Sequence, residues 1–551
     1  MQRDLKRLAE EHFDLCILGG GINGLATARD AAQRGLKVAL VEQGDFGGET
    51  SAGSLKILHG GLRYLQHLDF FRMTESIRER NALMRMAPHL VDPIGFLVPT
   101  TPGLMSGKLA LRAAMLANDT VSWKRNRGLR DREQFLPAGK ILSTDEVRER
   151  APGLPLKKVT GAALFYDAVM RNSDRFTLSF ALSASEDGAV LANRTKGLRF
   201  GIEEERIDFL EVEDLETGSL FKIRATQFAA MTGPWRDLLP ELITGASPDR
   251  KVVKNAGLQL FTRRGVCSDS GLAIPGGEVD EQAKVHRGGR HYFSLPWQGG
   301  VLWGTQDKIY EGAPEDWKIR EEDIEEFISE INEGLPGFNL KREEVYFAFG
   351  GLRLTDAENR KTGSNVARRY AISDHQEDLN LQNLLSMDGI KYTACRIMAE
   401  KATDRILEKL ERNVSCQTAE TFLVGGDYET RSILEAEIKT AIPKAWGPET
   451  VKLLAESYGS DWHNVWKEGL SAALLPDGVT PEYFITHAVE NEMALHLGDV
   501  LLRRCPLGTL GLPSEEMMDR VAEIIAGLLG WSEEQVDSEK SAFRATYSYQ
   551  V

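Results

Sequence analysis

The hydrophobic and polar pattern divides the chain into an α/β part and a helical part. Apolar runs at Leu15–Leu18 and 37–41 predict buried strands, and the Ala-rich stretch Leu25–Arg34 between them has helical periodicity, which Gly35 ends. Three later stretches have a β pattern: 200–223, 251–274 and 290–307. From residue 432 onward helical periodicity dominates, which predicts a separate helical domain in which nothing indicates catalysis.

A glycine motif lies between the first two predicted strands. Gly19, Gly21 and Gly24 have G-x-G-x-x-G spacing, and Glu42 ends the second strand 18 residues after Gly24. In such a unit the glycines permit a tight turn, close approach of a pyrophosphate and packing of helix on strand. Glu42 can accept hydrogen bonds from both ribose hydroxyls, so the unit predicts dinucleotide binding. It does not by itself separate FAD from NAD.

The loop after Glu42 concentrates hydroxyl, glycine and basic residues. Thr50, Ser51 and Ser54 can bond the phosphates or the ring of a cofactor. A second group then crowds together: Lys56, His59, Gly60, Gly61, Arg63 and Tyr64. The alternative is a solvated loop leading into the helix predicted at Phe70–Met86.

Two later turns offer further places for a cofactor. A strand of small residues ends at Gly233, and the turn that contains Trp235 can pass close to a cofactor. Another strand ends at Gly389, and a helix follows with Lys391 and Thr393 near its start. A strand, turn and helix with a glycine and a lysine at the turn favour cofactor or anion binding.

Length and composition exclude several classes of protein. A chain of 551 residues is too long for one core, and a net charge of −15 argues against nucleic-acid binding. Five scattered cysteines without a C-x-x-C pair predict reduced thiols in a cytoplasmic protein and no metal site. The N-terminus is too charged for a signal peptide, and no apolar run is long enough to span a membrane, so we expect any membrane contact to be peripheral.

The stretch 104–132 is locally basic in this acidic protein. It contains Lys108, Arg112, Lys124, Arg125, Arg127, Arg130 and Arg132. These residues form either a solvated helical face or a surface for an anionic membrane.

Taken together, these motifs resemble the FAD-dependent glycerol-3-phosphate dehydrogenases and the closely similar α-glycerophosphate oxidases. The resemblance runs from Phe13 to about Leu410 and more loosely to the end of the chain. The pieces that carry it are GGGINGLATARDAAQRGLKVALVE, TSAGSLKILHGGLRYLQH, TGPW, SLPW with GTQD, GLRL, DGIKYTACR and LLRRCPLG.

The resemblance implies an α/β fold with three domains. A Rossmann-like FAD-binding domain of the D-amino-acid-oxidase type is expected at 1–95, 155–240 and 345–410. A substrate domain with an antiparallel sheet is expected at 96–154 and 241–344, and a helical C-terminal domain at 411–551.

The implied activity is the oxidation of sn-glycerol 3-phosphate to dihydroxyacetone phosphate, with electrons passed to quinone. The expected location is cytoplasmic, and a peripheral position on the inner face of the cell membrane is an open alternative. A homodimer is also left open. Three alternatives also stay open: an oxidase that reduces oxygen, a relative acting on another hydroxy acid or amine, and a flavin-binding protein without catalysis.

The resemblance also assigns residues. The residues expected to bind FAD are Gly19, Gly21, Gly24, Glu42, Thr50, Ser51, Ser54, Lys56, Gly233, Trp235, Gly389 and Lys391. Substrate binding falls to Arg63, Tyr64, Arg353, Arg368 and Thr393, with both Arg353 and Arg368 on the phosphate. The residues expected to be catalytic are Lys391, Arg353 and Arg63.

The sequence departs from the family pattern at three places. The family strand that carries K-G-S-H here has Lys254 to Gly257, so its histidine is missing, and His286 or His291 are candidates to replace it. The family's G-G-K is Gly389-Ile390-Lys391, and its R-P-L is Arg353-Leu354-Thr355. These changes leave the substrate and the catalytic base open, with Lys391 as one candidate base if its surroundings lower its pKa.

Overall fold

The structure is a computed structural model that describes most of the chain. The described residues are 1–61, 64, 69–103, 107–245, 253–279, 289–355, 370–389, 391–467 and 469–549. Arg63, Arg368, His286 and Ile390 lie outside them, as does the side chain of His291.

The α/β part contains the strands. Among the described residues they are β1 (His12–Leu18), β2 (Val38–Val41), β3 (Ile57–Leu58), β4 (Val91–Thr100), β5 (Lys140–Leu142), β6 (Gly161–Met170), β7 (Val190–Ala192), β8 (Thr195–Glu203), β9 (Arg206–Asp214), β10 (Leu220–Ala230), β11 (Lys254–Thr262), β12 (Ser270–Val279), β13 (Gly289–Trp297), β14 (Gly300–Tyr310), β15 (Val345–Leu354), β16 (Ala371–Asp374) and β17 (Leu384–Asp388).

Helices join the strands and form the C-terminal part. In the described ranges they are α1 (Leu5–Glu10), α2 (Ile22–Gln33), α3 (Phe70–Met86), α4 (Lys108–Val121), α5 (Thr144–Arg150), α6 (Ser173–Glu186), α7 (Leu239–Thr244), α8 (Glu321–Gly334), α9 (Cys395–Lys409), α10 (Arg431–Ala441), α11 (Pro448–Tyr458), α12 (Trp462–Val465), α13 (Tyr483–Asn491), α14 (Glu515–Leu529) and α15 (Glu533–Ala545). A π-helical segment spans Asp499–Arg504. No helix in the described part is both long enough and apolar enough to cross a membrane.

The first sheet is built on the β-α-β unit of the glycine motif. Its strand order is β16-β17-β10-β1-β2-β7, and β8 and β9 extend it from β10. β17, β10, β1, β2 and β7 are parallel to one another. Parallel strands end at the same edge of a sheet, so the segments that follow these strands lie near one another.

Helices α2, α6 and α9 pack against one face of the first sheet. The alanines of α2, including Ala28 and Ala31, are fully buried and let the helix lie close to β1, whose Leu15 and Ile17 belong to the same core. On the other face Cys16 and Leu18 pack with residues of β8, β9 and β10 such as Phe200. A sheet covered on both faces explains why its central strands are continuous apolar runs.

The second sheet is mostly antiparallel, in the order β15-β11-β14-β13-β12-β4-β6-β3, with β5 on β6. α8 buries Ile324, Phe327 and Ile331 in its core. β6 and β15 belong to this sheet although their residues fall within the ranges predicted for the FAD-binding domain. The predicted domain ranges stay a prediction.

The C-terminal helices have a core of their own. It contains Leu454, Trp466, Phe484 and Met518 among its buried residues. Buried ion pairs join this part to the first sheet, and one of them links Arg175 at the start of α6 to Glu492, with 2.6 Å between Nη1 and Oε2. The helical domain therefore lies directly against the β-α-β half of the molecule.

Candidate active site

The candidate site lies at the edge where the parallel strands of the first sheet end. β1 leads into Gly19, and β2 leads into Glu42. β10 leads into the turn of Gly233 and Trp235, and β17 leads into Gly389 and Lys391. Four stretches that are far apart in the sequence and carry predicted cofactor residues thus meet at one edge.

The glycine motif requires glycine for steric reasons that the structure makes explicit. Gly19 has φ of +111°, and a Cβ there would lie 2.5 Å from the carbonyl oxygen of Met231. A Cβ on Gly24 would lie 1.9 Å from the oxygen of Gly19, so only glycine lets α2 approach β1. Gly21 precedes α2 as its N-cap without a side-chain cap, and the first N–H groups of a helix have no partner within it. They form a site suited to phosphate.

Glu42 lies at the far side of this motif. Its carboxylate accepts hydrogen bonds from the backbone N–H groups of Gly20 at 2.6 Å and Gly44 at 2.7 Å. Burial raises the pKa of Glu42, and these two hydrogen bonds oppose the rise. The carboxylate is thus held in a defined position at the end of β2, where a ribose would meet it.

Residues 50–54 connect the glycine motif to the second sheet. Ser51 Oγ accepts the N–H of Ile22 at 3.0 Å, and Thr50 donates to the carbonyl oxygen of Leu352 at 2.7 Å. Ser54 Oγ accepts a weak hydrogen bond from the N–H of Lys56 at 3.4 Å. The predicted flavin contacts of these hydroxyls stay a prediction, while their role in joining the two sheets is visible.

Lys56 has protein partners for its ammonium. Its Nζ donates to the carbonyl oxygen of Ala52 at 2.7 Å and to Ser173 Oγ at 2.6 Å, and it lies 3.5 Å from Asp174 Oδ2. Burial lowers its pKa, and Asp174 opposes that shift. The predicted position of Lys56 along the flavin therefore rests on its aliphatic stem or its backbone.

His59, Tyr64 and Lys391 form a cluster. Lys391 Nζ lies 4.1 Å from the centroid of the Tyr64 ring, a cation–π contact. Burial, followed by the positive charges of Lys391 and Arg80, lowers the pKa of His59 to about 3. His59 is therefore neutral near pH 7, and its positive neighbours oppose its protonation.

A buried ion pair positions the loop that carries His59. Asp167 of β6 accepts the N–H of Gly60 at 2.6 Å and pairs with Arg80 of α3. A Cβ on Gly60 would lie 2.5 Å from Arg80 Nη1, so the arginine can reach Asp167 only past a glycine. Sequence analysis noted the H-G-G motif but missed both Asp167 and Arg80, because only pairing of distant segments brings them together.

Arg353 lies on one face of the second sheet with two partners. It is opposite Asn255 across β11, and Asp307 is opposite Gly257 two residues further on, so all three side chains share a face. Arg353 Nη2 donates to Asn255 Oδ1 at 2.6 Å and to Asp307 Oδ1. Burial lowers the pKa of Arg353 to about 10, so it remains a cation.

Gly257 stands where the family strand carries histidine, and Arg353 fills part of that space. A Cβ on Gly257 would lie 2.9 Å from Arg353 Nη2 and 3.0 Å from Thr305 Cγ2. The absence of a side chain at 257 thus lets Arg353 lie across β11 and reach Asp307.

The site has the donors and acceptors that a flavin dinucleotide requires. The N-terminus of α2 suits its phosphates, and Glu42 suits its ribose. Within the described part of the chain, Thr393 Oγ1 and Asn23 Oδ1 are buried without a hydrogen-bond partner. Gly389 has room only for hydrogen, because a Cβ there would lie 1.9 Å from Asn23 Nδ2. These residues fit FAD.

Comparison with known proteins agrees with this geometry. Residues 14–394 match the family described as FAD dependent oxidoreductase, and residues 416–536 match the C-terminal domain of alpha-glycerophosphate oxidase. The chain is 28% identical to a glycerol-3-phosphate dehydrogenase of Synechocystis over 98% of this chain and 96% of that protein. It is 27% identical to an alpha-glycerophosphate oxidase of Streptococcus pneumoniae over 98% of this chain and 96% of that protein.

A solved structure has the same overall fold. The glycerol-3-phosphate dehydrogenase of Bacillus halodurans, complexed with FAD, aligns with a TM-score of 0.74 at 23% identity, over 98% of this chain and 95% of that one.

Proposed function

The chain belongs to the family of FAD-dependent oxidoreductases, and we propose that it oxidises sn-glycerol 3-phosphate to dihydroxyacetone phosphate. The predicted fold class and the predicted cofactor, FAD, are both confirmed by the family match. One observation carries the proposed substrate. The FAD-dependent region is followed in the same chain by the C-terminal domain of alpha-glycerophosphate oxidase, and relatives that act on this substrate by name align over nearly the full length.

Arg353 is the described residue best suited to the substrate phosphate. A guanidinium can make two parallel hydrogen bonds to phosphate oxygens. Asn255 and Asp307 hold it in place, and its side chain is 25% exposed, so part of it remains accessible. The phosphate contacts predicted for Arg63 and Arg368 stay predictions.

Bound FAD would supply the acceptor for the hydride that leaves C2 of the substrate. The residues of the chain must hold that carbon in place and accept the proton of its hydroxyl group. We assign the proton to His59, which is neutral beside Lys391. A doubly negative substrate would offset the positive charges of Lys391 and Arg80, raise the pKa of His59 and make it a better base. In this arrangement Lys391 stabilises the negatively charged substrate instead of acting as the base.

The exposed face of α4 supports contact with an anionic membrane and hence a quinone acceptor. Leu109, Leu116 and Trp123 are 81%, 70% and 74% exposed. Leu109 and Leu116 lie two helical turns apart on α4, beside the exposed cations Lys108 and Arg112, and Trp123 follows the end of the helix. Apolar side chains among cations are typical of helices that lie in a lipid interface. The homodimer stays a prediction.

Reduction of the bound FAD under anaerobic conditions tests the proposed substrate. We expect glycerol 3-phosphate to bleach the flavin absorbance rapidly and glycerol to bleach it slowly. Rapid bleaching by another hydroxy acid or an amine, but not by glycerol 3-phosphate, would show that this other compound is the substrate. No bleaching by any of them would favour a flavin-binding protein without catalysis. Peroxide formed in air, compared with the rate with a soluble quinone, separates oxidase from dehydrogenase.

A further inference from the structure

A buried carboxylate connects the loop after Glu42 to the C-terminal domain. Asp45 is fully buried and accepts four hydrogen bonds from three residues. Asn193 donates to Oδ1 at 3.0 Å, and Arg504 Nη2 to the same oxygen at 2.9 Å. Arg503 Nε donates to Oδ2 at 2.6 Å, and Arg504 Nη1 also donates to Oδ2.

Both arginines belong to the π-helical segment of the C-terminal domain and have further partners there. Arg504 Nη2 donates to the carbonyl oxygen of Glu492 at 2.7 Å, and its side chain is fully buried. Arg503 Nη2 donates to Asp499 Oδ1 at 2.7 Å. Burial by itself would raise the pKa of Asp45, but the charges of Arg504 and Arg503 outweigh it and hold the pKa well below its usual range. The carboxylate and both guanidinium groups are therefore charged.

The loop held in this way is residues 43–48, and it touches the glycine motif directly. Gly47 donates its N–H to the carbonyl oxygen of Gly20 at 2.9 Å. Phe46 is buried so close to Gly20 that a Cβ there would lie 2.9 Å from its ring. Gly44 donates to Glu42. The shape of this short loop therefore determines how both Glu42 and the turn before α2 are presented to FAD.

We propose that Arg503 and Arg504 are positioning residues for the cofactor: by holding Asp45 they keep the 43–48 loop against the glycine motif and slow the release of FAD. The C-terminal domain, in which the sequence indicates no catalysis, thus controls cofactor retention from outside the FAD-binding domain. The proposal rests on FAD binding and not on the identity of the substrate.

A second buried pair at the same domain boundary provides a matched control. Glu492 pairs with Arg175 of α6, and their side chains are 1% and 5% exposed. Glu492→Gln removes this carboxylate but keeps the backbone carbonyl that accepts from Arg504, and it changes no residue of the 43–48 loop. Asp45→Asn and Glu492→Gln each remove one buried negative charge, and only the first lies in the loop.

The experiment measures FAD binding to the deflavinated full-length chain by fluorescence titration, together with the thermal midpoint of each apoprotein. We expect Asp45→Asn to raise the Kd for FAD about tenfold or more, because the loop loses its hydrogen bonds between charged groups. Glu492→Gln should lower the thermal midpoint but leave the Kd within about threefold of wild type.

Arg503→Met keeps the proposal testable if Asp45→Asn does not fold. Arg503 is 14% exposed, so its loss is tolerated better than that of Arg504, and it should still weaken FAD binding. Arg503→Lys should recover part of the affinity because the charge returns without the fork. The proposal is overturned if folded Asp45→Asn and Arg503→Met bind FAD like wild type. It is equally overturned if Glu492→Gln weakens binding as much as they do.

Discussion

At the scale of residues, glycines without a side chain let neighbouring arginines reach their carboxylate partners in this site. Gly257 has no side chain, so Arg353 lies across β11 and reaches Asp307. Gly60 has none either, so Arg80 reaches Asp167 and holds the loop of His59. In both cases a glycine lets an arginine pair with a buried carboxylate, and the pair then positions a polar group of the site.

Loss of Arg353 should discriminate between substrates. A hydrogen bond to a charged group contributes about 1.5–3 kcal/mol, so Arg353→Ala should lower kcat/KM for glycerol 3-phosphate by about one to two powers of ten. For unphosphorylated glycerol kcat/KM should fall little, because glycerol has no phosphate to contact Arg353. Arg353→Lys should recover only part of the activity.

The control for this measurement is Arg264→Ala. Arg264 also pairs with a carboxylate on the second sheet, Glu344, but 42% of its side chain is exposed and it lies outside the site. Arg264→Ala should change kcat/KM neither for glycerol 3-phosphate nor for glycerol. Equal losses with both substrates in Arg353→Ala would mean that Arg353 has a structural role or that the substrate carries no phosphate.

Loss of His59 should reduce kcat while FAD stays bound. General base catalysis contributes about 10²–10⁴-fold, so His59→Gln should lower kcat by that factor with an unchanged flavin spectrum. His463→Gln, at an exposed position in the C-terminal domain, is the matched control. Near-normal kcat in His59→Gln would return the role of base to Lys391.

At the scale of elements, the site is an edge rather than a pocket of one domain. β1, β2, β10 and β17 run parallel and end together, so Gly19, Gly233 and Gly389 come to the same edge as Glu42. α4 is not part of this edge. It presents polar and apolar side chains together on the surface of the molecule. Its apolar side chains Leu109 and Leu116 are largely exposed to solvent.

The α4 face should bind anionic vesicles at low salt. Leu116→Asp together with Trp123→Ala removes two exposed apolar side chains, so sedimentation with anionic vesicles should fall sharply. High salt should weaken wild-type binding as well, because charges at an exposed surface are screened. Leu220→Asp changes an equally exposed leucine in the first sheet and should have no effect. Failure of the wild-type protein to bind at low salt would leave the basic stretch as a solvated face.

At the scale of the whole molecule, buried charges join the C-terminal domain to the cofactor half. The pairs of Asp45 with Arg503 and Arg504, and of Glu492 with Arg175, lie at this boundary. Breaking a buried pair costs far more than breaking an exposed one, because an unpaired charge is left in a poorly polarisable interior. Protonation of these carboxylates should therefore weaken the boundary between the two halves.

Acid should weaken this boundary in a defined window. Burial raises the pKa of Glu492, but Arg175 and His487 outweigh it and lower the pKa from 4.5 to about 2. A carboxylate with a lowered pKa contributes stability above its unfolded pKa, here about 3 kcal/mol, and loses it as the pH falls through its folded value. The free energy of unfolding should therefore decrease between about pH 4.5 and pH 2.

Urea titrations of the apoprotein at several pH values measure this change. In Glu492→Gln the dependence on pH should be shallower by the contribution of this one group, while Asp45 contributes alike to both proteins. Parallel pH profiles of the two proteins would show that Glu492 does not titrate in this window.

The sequence alone determined the β-α-β unit and the resemblance to flavin enzymes. The reason is local: the spacing of Gly19, Gly21 and Gly24, the apolar runs and Glu42 lie within one stretch, and each constrains the backbone near it. The helical C-terminal domain and the turn at Gly389 were predictable in the same way, because periodicity and turn residues act over short distances.

Only the tertiary structure decided which charged residues meet. Asp45 with Arg504, Asp167 with Arg80, and Arg353 with Asp307 are pairs between distant segments, and the sequence carries no local sign of them. Sheet membership was also decided there, since β6 and β15 pair by register with strands that lie far away in the chain. Partners of buried charges depend on which elements pack together, and packing is a property of the whole chain.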